Sequence, residues 1–348
     1  MKQREHSLYM FESYLAAYSE FMAFCQLANP GDIGFCVAPG GAGKSEMAAL
    51  IADSLYGPEE SWIPGTQPYV HVGADLEEQS FFTPKAFMRK LLAELRDPFS
   101  CERADIATWN TDPAVKSALI SRARFERKAS QTEAEMRTAF ISIARLLKVN
   151  LIIIDEANMF LISPRSRRPT DYLESARRLA DQVGCPIVLF GTTDLLQLLD
   201  YSAQLNRRIN KIYIGHMRCE DDRGKSDFLA FLAGLENDFK LDEGLLTKNA
   251  AKIFEWTYGI PGEIVNLIEK ARYKLARRQG PTRIDFQAIF EARKSDSELR
   301  RCIDEADAIE ATMTNSSTAA LRTIKTKRAS KKSGRKPRRT PNGQSEGK

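Results

Sequence analysis

The sequence is poor in the residues that build metal and disulfide frameworks. It has six cysteines and three histidines among 348 residues. Cys25, Cys36, Cys101, Cys185, Cys219 and Cys302 are scattered and form no CxxC pair. That excludes the common structural zinc spacings and fits free thiols in a reducing compartment. Long apolar runs are missing too. The longest, near Leu151–Ile154, falls far short of the roughly 20 residues that span a bilayer, so no membrane partner is expected. The opening stretch MKQREHSLYMFES places acids where an export signal would carry its apolar segment, which argues against secretion. No internal repeat is visible.

What is present is a foldable body with a different tail. Hydrophobic residues make up 43% and charged residues 28% of the chain, enough apolar content for a core. The net charge of +5 hides an asymmetry. Residues 322–348 carry 11 Lys/Arg and one acid, whereas the rest carries 40 Lys/Arg and 45 Asp/Glu. The body is mildly acidic and the tail strongly basic. Loss of apolar residues from about Asn315 predicts a disordered tail.

Hydrophobic periodicity predicts a helix over 7–27, where Phe11, Tyr14, Leu15, Tyr18 and Met22 share a face. The same pattern leaves open whether that face packs on a sheet or on a neighbouring subunit. Strands are predicted at 33–37, 68–72, 151–154, 187–191 and 211–214, separated by helices at 45–56, 84–96, 132–148 and 170–183. Strands alternating with helices imply an α/β fold, a parallel sheet flanked by helices. After about residue 225 strand signals disappear. Four helices are expected at 225–235, 243–257, 261–278 and 284–294, as a small all-helical domain. Trp256, Tyr258, Phe254, Ile264, Leu267 and Ile268 read as its core.

The strongest motif is Ala38-Pro39-Gly40-Gly41-Ala42-Gly43-Lys44-Ser45. It fits the phosphate-loop pattern G-x-x-x-x-G-K-[ST] except for Ala38 in the first place, and it lies between a predicted strand and a predicted helix. Pro39 to Gly43 would turn backbone N–H groups inward on phosphate oxygens, a geometry that glycine permits. The helix N-terminus adds partial positive charge. Lys44 would reach the β- and γ-phosphates, and the Ser45 hydroxyl would bind Mg²⁺. A second motif ends a strand: Leu151-Ile152-Ile153-Ile154-Asp155-Glu156. The carboxyl ends of parallel strands face the ligand crevice. Asp155 is therefore expected beside the loop, completing the Mg²⁺ shell, and Glu156 is placed to polarise an attacking water. The next strand ends in Thr192-Thr193-Asp194, where either threonine would contact the γ-phosphate or that water, or else cap a helix. In Gln204-Leu205-Asn206-Arg207-Arg208-Ile209, an arginine suits insertion into a neighbouring subunit's nucleotide, with Arg207 favoured over Arg208. The competing reading is a solvated basic helix end or a DNA-contacting pair.

With these residues the chain resembles the AAA+ superfamily, and within it the TniB/TnsC-type transposition regulators. The resemblance rests on APGGAGKS, LIIIDEANMF, the strand ending PIVLFGTTD, the QLNRRI segment and the lid segment Tyr258-Gly259-Ile260-Pro261-Gly262-Glu263-Ile264. It covers roughly residues 8–295. It implies an N-terminal helix (1–30), an AAA+ P-loop NTPase core (31–220), a helical lid (221–312) and the basic tail (313–348). It implies ATP and Mg²⁺ as cofactors, with ATP hydrolysis at Glu156 and Arg207. Expected partners are double-stranded DNA and further copies of the chain in a ring or helical filament. A transposase and target-selector proteins would follow, in a cytoplasmic, nucleoid-associated setting. One departure stands out. Many AAA+ lids carry an arginine just after the glycine turn, and here Gly262 and Glu263 occupy those places, with no arginine until Arg272. Rival readings are a replication initiator or loader, which would need a DNA-reading domain after the lid, and an ATPase scaffold acting on a protein partner.

For DNA, the resemblance to initiators points to the stretch before the second motif. Lys116, Arg122, Arg124, Arg127 and Lys128 cluster there, with Glu126 as the one acid among them. Clustered positive charge suffices for backbone phosphate contacts; a solvated charged face is the alternative. Arg165, Arg167 and Arg168 form a second candidate patch. The tail segment 329–339 has no aromatic residue for base stacking and suits nonspecific DNA contact or a tether.

Overall fold

A computed structural model describes residues 10–74, 76, 81–95, 132–162, 168–201, 205–277 and 283–314. Residues 1–309 form one compact unit; a second comprises 310–348, of which 310–314 are described.

Five parallel strands form one sheet: β1 (Ile33–Val37), β2 (Tyr69–Gly73), β3 (Leu151–Asp155), β4 (Ile187–Gly191) and β5 (Ile209–Tyr213), in the order β2-β3-β4-β1-β5. The burial of each strand follows its place. Every residue of β1 and β4 is buried, as is β3 up to Asp155. These continuous apolar runs are what a sheet covered on both faces demands. At one edge, β2 buries only Val70 and Val72; at the other, β5 exposes Asn210 and Lys211, the polar dressing expected of an edge strand.

Helices α1 (Glu12–Leu27), α2 (Lys44–Tyr56), α3 (Pro84–Glu94), α4 (Glu133–Leu146) and α5 (Pro169–Val183) accompany the sheet. Helix α1 packs on the sheet, but through a face turned from the one its periodicity predicts: Tyr14, Ala17, Phe21 and Phe24 are buried, whereas Leu15 is exposed and Tyr18 and Met22 are only partly covered. Phe21 stacks on Phe190 of β4 with ring centroids 5.3 Å apart. Gly34 of β1 admits Phe24, whose ring lies 2.9 Å from where a Cβ would stand. Helix α4 begins with a reciprocal cap. The Thr132 amide donates to the Glu135 carboxylate at 2.7 Å, and the Glu135 amide donates to Thr132 Oγ1 at 3.3 Å, which satisfies N-terminal donors that the helix itself cannot.

Among the described residues the C-terminal part is helical: α6 (Asp222–Asp238), α7 (Ala250–Thr257), α8 (Pro261–Arg277), α9 (Phe286–Ala292) and α10 (Asp296–Thr314). Four helices were expected after residue 225. The fifth, α10, was not, because its apolar positions are sparse and set among acids. Residues 243–249 are not part of α7, which starts at Ala250. Glu236 explains the loop there. Its buried carboxylate accepts the backbone N–H groups of Gly244, Leu246 and Thr247 at 3.0, 2.6 and 2.9 Å. Burial alone would raise the Glu236 pKa, but these bonds outweigh it and hold the group below its ordinary value. One apolar cluster runs from α1 and the strands into α6–α9, through Phe228, Leu232, Ile253, Ile264 and Ile268.

Candidate functional site

The sheet brings the two motifs together. Strand order sets β4 beside β1, in the register Val37 with Gly191. Beyond it, the Ala38 amide donates to the Gly191 carbonyl at 3.2 Å. The loop from Ala38 to Gly43 therefore begins at the carboxyl end of β1, next to Thr192, which follows β4. Strand β3 lies one place further and delivers Asp155 and Glu156 at the same edge. Gly41 and Gly43 have φ of +78° and +88°, in the left-handed region that favours glycine. Helix α2 starts immediately after them, at Lys44.

Ser45 Oγ donates to Asp155 Oδ2 at 2.8 Å, so residues 110 positions apart meet as two hard oxygen donors. Lys44 folds back over the loop, its ammonium donating to the carbonyls of Ala38 and Pro39 at 3.2 and 3.1 Å. Burial pulls the Lys44 pKa below its ordinary value. The carboxylates of Glu305, Asp155 and Glu156 oppose that, Glu305 most strongly. Glu156 has φ +53° and ψ +33°, a conformation that costs a non-glycine residue of order 1–3 kcal/mol and collects at functional sites. Its own amide donates to Asp155 Oδ1 at 2.8 Å, which fixes the carboxylate that faces Ser45. Thr193 opens the short helix Thr193–Tyr201, and the Leu195 amide donates to the Thr192 carbonyl at 3.0 Å.

This donor set fits a magnesium nucleotide. Ser45 Oγ and Asp155 Oδ2 are the oxygen ligands a hard divalent cation takes. The glycine loop with its two left-handed residues, Lys44 and the N-terminus of α2 together favour a polyphosphate.

Three residues take part that the motifs did not announce. The Tyr14 hydroxyl of α1 donates to the Gly43 carbonyl at 3.3 Å, and its burial, with Glu46 nearby, raises its pKa. Tyr14 was legible only as part of an apolar face. Gly262, in the first turn of α8, donates its amide to the Gly41 carbonyl at 2.8 Å. A Cβ on Gly262 would stand 2.6 Å from that oxygen, so this approach requires glycine. A side chain of any kind, arginine included, is thereby excluded from position 262. Glu263 is engaged elsewhere, its carboxylate 2.6 Å from Lys294 Nζ. Arg272 is exposed, about 15 Å along α8 from Gly262 at ~1.5 Å per residue. The third residue is Glu305 of α10, whose carboxylate comes within 3.9 Å of where a Cβ on Gly40 would lie.

Arg207 is not brought to this site. It lies in the short helix Leu205–Arg208, just before β5, and is exposed along with Arg208. Tyr213, not Ile209, pairs with Val37 at the loop end of the sheet. About 13 Å of strand, at ~3.3 Å per residue, thus separates Arg207 from the end of β5 nearest the loop. Lys116, Arg122, Arg124, Arg127 and Lys128, together with Arg165, Arg167 and the tail, lie outside the described residues. The Arg168 amide caps α5 by donating to Asp171 at 3.2 Å. No helix among the described residues is long and apolar enough to cross a membrane.

Residues 28–199 match the family model of the AAA domain. No curated protein matches the chain. Among solved structures, the Walker-type ATPase of Pyrococcus abyssi is similar at a TM-score of 0.51 and 15% identity, over 89% of this chain and 79% of that one. The ORC2 protein of Aeropyrum pernix, solved in its ADP form, is similar at 0.50 and 12%, over 83% of this chain and 69% of that one. Residues 28–199 are thus similar to an AAA domain, and the sheet with its helical C-terminal part has the AAA+ P-loop NTPase fold. Domains of this kind are in general nucleotide-hydrolysing ATPases.

Proposed function

We propose that this chain is an ATP-driven assembly factor. It hydrolyses Mg²⁺-ATP, associates with further copies of itself on duplex DNA, and regulates transposition by linking a target selector to a transposase. The observation that carries the ATPase part is the 2.8 Å contact between Ser45 and Asp155 beside a loop that leads into Lys44. The DNA and transposition parts rest on the sequence resemblance and on the basic segments at 116–128 and 322–348.

Loop amides and the Lys44 ammonium hold the β- and γ-phosphates, and the N-terminal dipole of α2 adds to their pull. Ser45 and Asp155 are the residues that would hold Mg²⁺, which when bound offsets charge on the phosphate oxygens. Glu156 orients the attacking water and draws its proton. Thr192 or Thr193 hydrogen-bonds the γ-phosphate or that water. Arg207, remote from its own chain's loop, is free to enter a neighbour's site and stabilise the transition state there. Hydrolysis then depends on assembly. The initiator or loader reading shares the nucleotide chemistry and differs in what the assembly recruits.

The test is electron microscopy of wild type and Glu156→Gln with duplex DNA and ATP. Wild-type assemblies should form and disperse, whereas Glu156→Gln assemblies should persist. Normal dispersal of the Glu156→Gln assemblies, or assembly indifferent to ATP and DNA, contradicts the proposal.

A further inference from the structure

Helix α10 is held in place by more than apolar packing. Ala306 and Ile309 are fully buried. The Tyr258 hydroxyl, at the lid turn, donates to Asp307 Oδ1 at 2.8 Å. Lys294, just before α10, reaches Cys302 Sγ at 3.2 Å while its ammonium pairs with Glu263 of α8 at 2.6 Å. Cys302, Ala306 and Ile309 recur at helical spacing and set which face of α10 looks inward. Glu305 borders that face, and so its carboxylate is delivered to Gly40 rather than left to wander in solvent.

The position is chemically odd. A glycine loop, a lysine and a helix N-terminus select for an anion. Glu305 presents one from the same chain. A polyphosphate entering along Gly40 meets that negative charge where it needs positive charge. A carboxylate held by a helix is a weaker ligand than a triphosphate, yet it is always present at high local concentration.

We propose that α10 is an autoinhibitory latch that holds Glu305 over the phosphate loop as a resident anion, so that a nucleoside triphosphate gains its full grip only when the latch withdraws. The inference rests on the reading of this loop as a triphosphate site. When the binding-competent state is populated only in part, the apparent dissociation constant is the intrinsic one divided by that fraction. Releasing the latch therefore tightens binding without adding any contact. The effect follows phosphate charge: strongest for ATP, weaker for ADP, absent for adenosine.

The test is isothermal titration calorimetry of the full chain with Mg²⁺-ATP, Mg²⁺-ADP and adenosine. The variants are Glu305→Gln, Glu305→Ala, Tyr258→Phe and Lys44→Ala. Glu305→Gln and Glu305→Ala should bind ATP about 10-fold more tightly than wild type, within the usual range of intramolecular coupling, with a smaller gain for ADP. Tyr258→Phe, which loosens α10 without touching the loop, should show part of that gain. Lysine-dependent ATP binding that the Glu305 variants leave unchanged or weaken overturns the latch alone. If neither wild type nor the Glu305 variants bind ATP, the nucleotide site itself falls, and the latch with it.

Discussion

The phosphate loop and the lid turn that faces it meet at two glycines, Gly41 and Gly262, and each is glycine for a different reason. Gly41 has φ +78°, a backbone state that side chains disfavour wherever their neighbours lie. Gly262 has no such angle; it needs only the empty space where a Cβ would strike the Gly41 carbonyl at 2.6 Å. The first requirement is local, so it appears as a motif with fixed spacing. The second is set by a partner distant in sequence, and the sequence shows it merely as a missing arginine. The same division runs through the site. Chemistry at the carboxyl edge of the sheet comes from short motifs, whereas control from the helical part comes from tertiary approach.

If the carboxyl edge and the distant Arg207 act in different subunits, the largest effect falls on assembly-dependent hydrolysis. Arg207→Ala should leave ATP affinity intact and lower turnover in the assembled state by roughly 10³–10⁵. Mixing it with Glu156→Gln should restore part of the activity, because each supplies what the other lacks. Equal loss in dilute, unassembled protein would place the arginine in its own chain's site and break the comparison.

The Gly41–Gly262 approach is tested next. Gly262→Ala forces its Cβ against a backbone carbonyl that no side-chain rotation can relieve. It should cost about 1–3 kcal/mol, typical of overpacking, read as a lower denaturation midpoint. Gly41→Ala should also destabilise, but through its own dihedral, and it should additionally impair nucleotide binding. If Gly262→Ala is as stable as wild type, the lid does not rest on the loop.

An effect of similar size concerns the lid alone. Glu236→Gln replaces a carboxylate that accepts several amides and should cost about 1–3 kcal/mol. Its folded pKa lies below the ordinary value. Its contribution is therefore complete above the unfolded-state value and is lost as pH falls through the folded one. Chemical denaturation at neutral and acid pH should show the variant's deficit shrinking in acid. A deficit that grows in acid would contradict the assignment.

Much of this was legible beforehand. The alternation of apolar strands with amphipathic helices gave the parallel sheet, because strands buried on both faces read as continuous runs such as Leu151–Ile154. The loop and the Asp155-Glu156 pair were legible because phosphate chemistry fixes residue type and spacing. Helix α10 was not: its buried positions, Ala306 and Ile309, are few and isolated among acids, too thin a stripe for periodicity to detect. Tyr14 looked like core and is core, yet its hydroxyl also holds the loop. No local pattern encodes that bond, nor the reach of Glu305 to Gly40. Strand order, which sets β4 between β1 and β3 and so brings Asp155 and Thr192 to the loop, is likewise a property of the assembled sheet.

The central claim is that Lys44 and the Ser45–Asp155 pair bind a magnesium triphosphate. The direct measurement is calorimetric titration of ATP into wild type, Lys44→Ala and Asp155→Ala, with Mg²⁺ and with chelator. The account predicts saturable binding to wild type that Lys44→Ala abolishes. It also predicts that chelator weakens binding to wild type while leaving the already weakened Asp155→Ala unchanged. Wild-type affinity indifferent to Lys44 and to Mg²⁺ would contradict it.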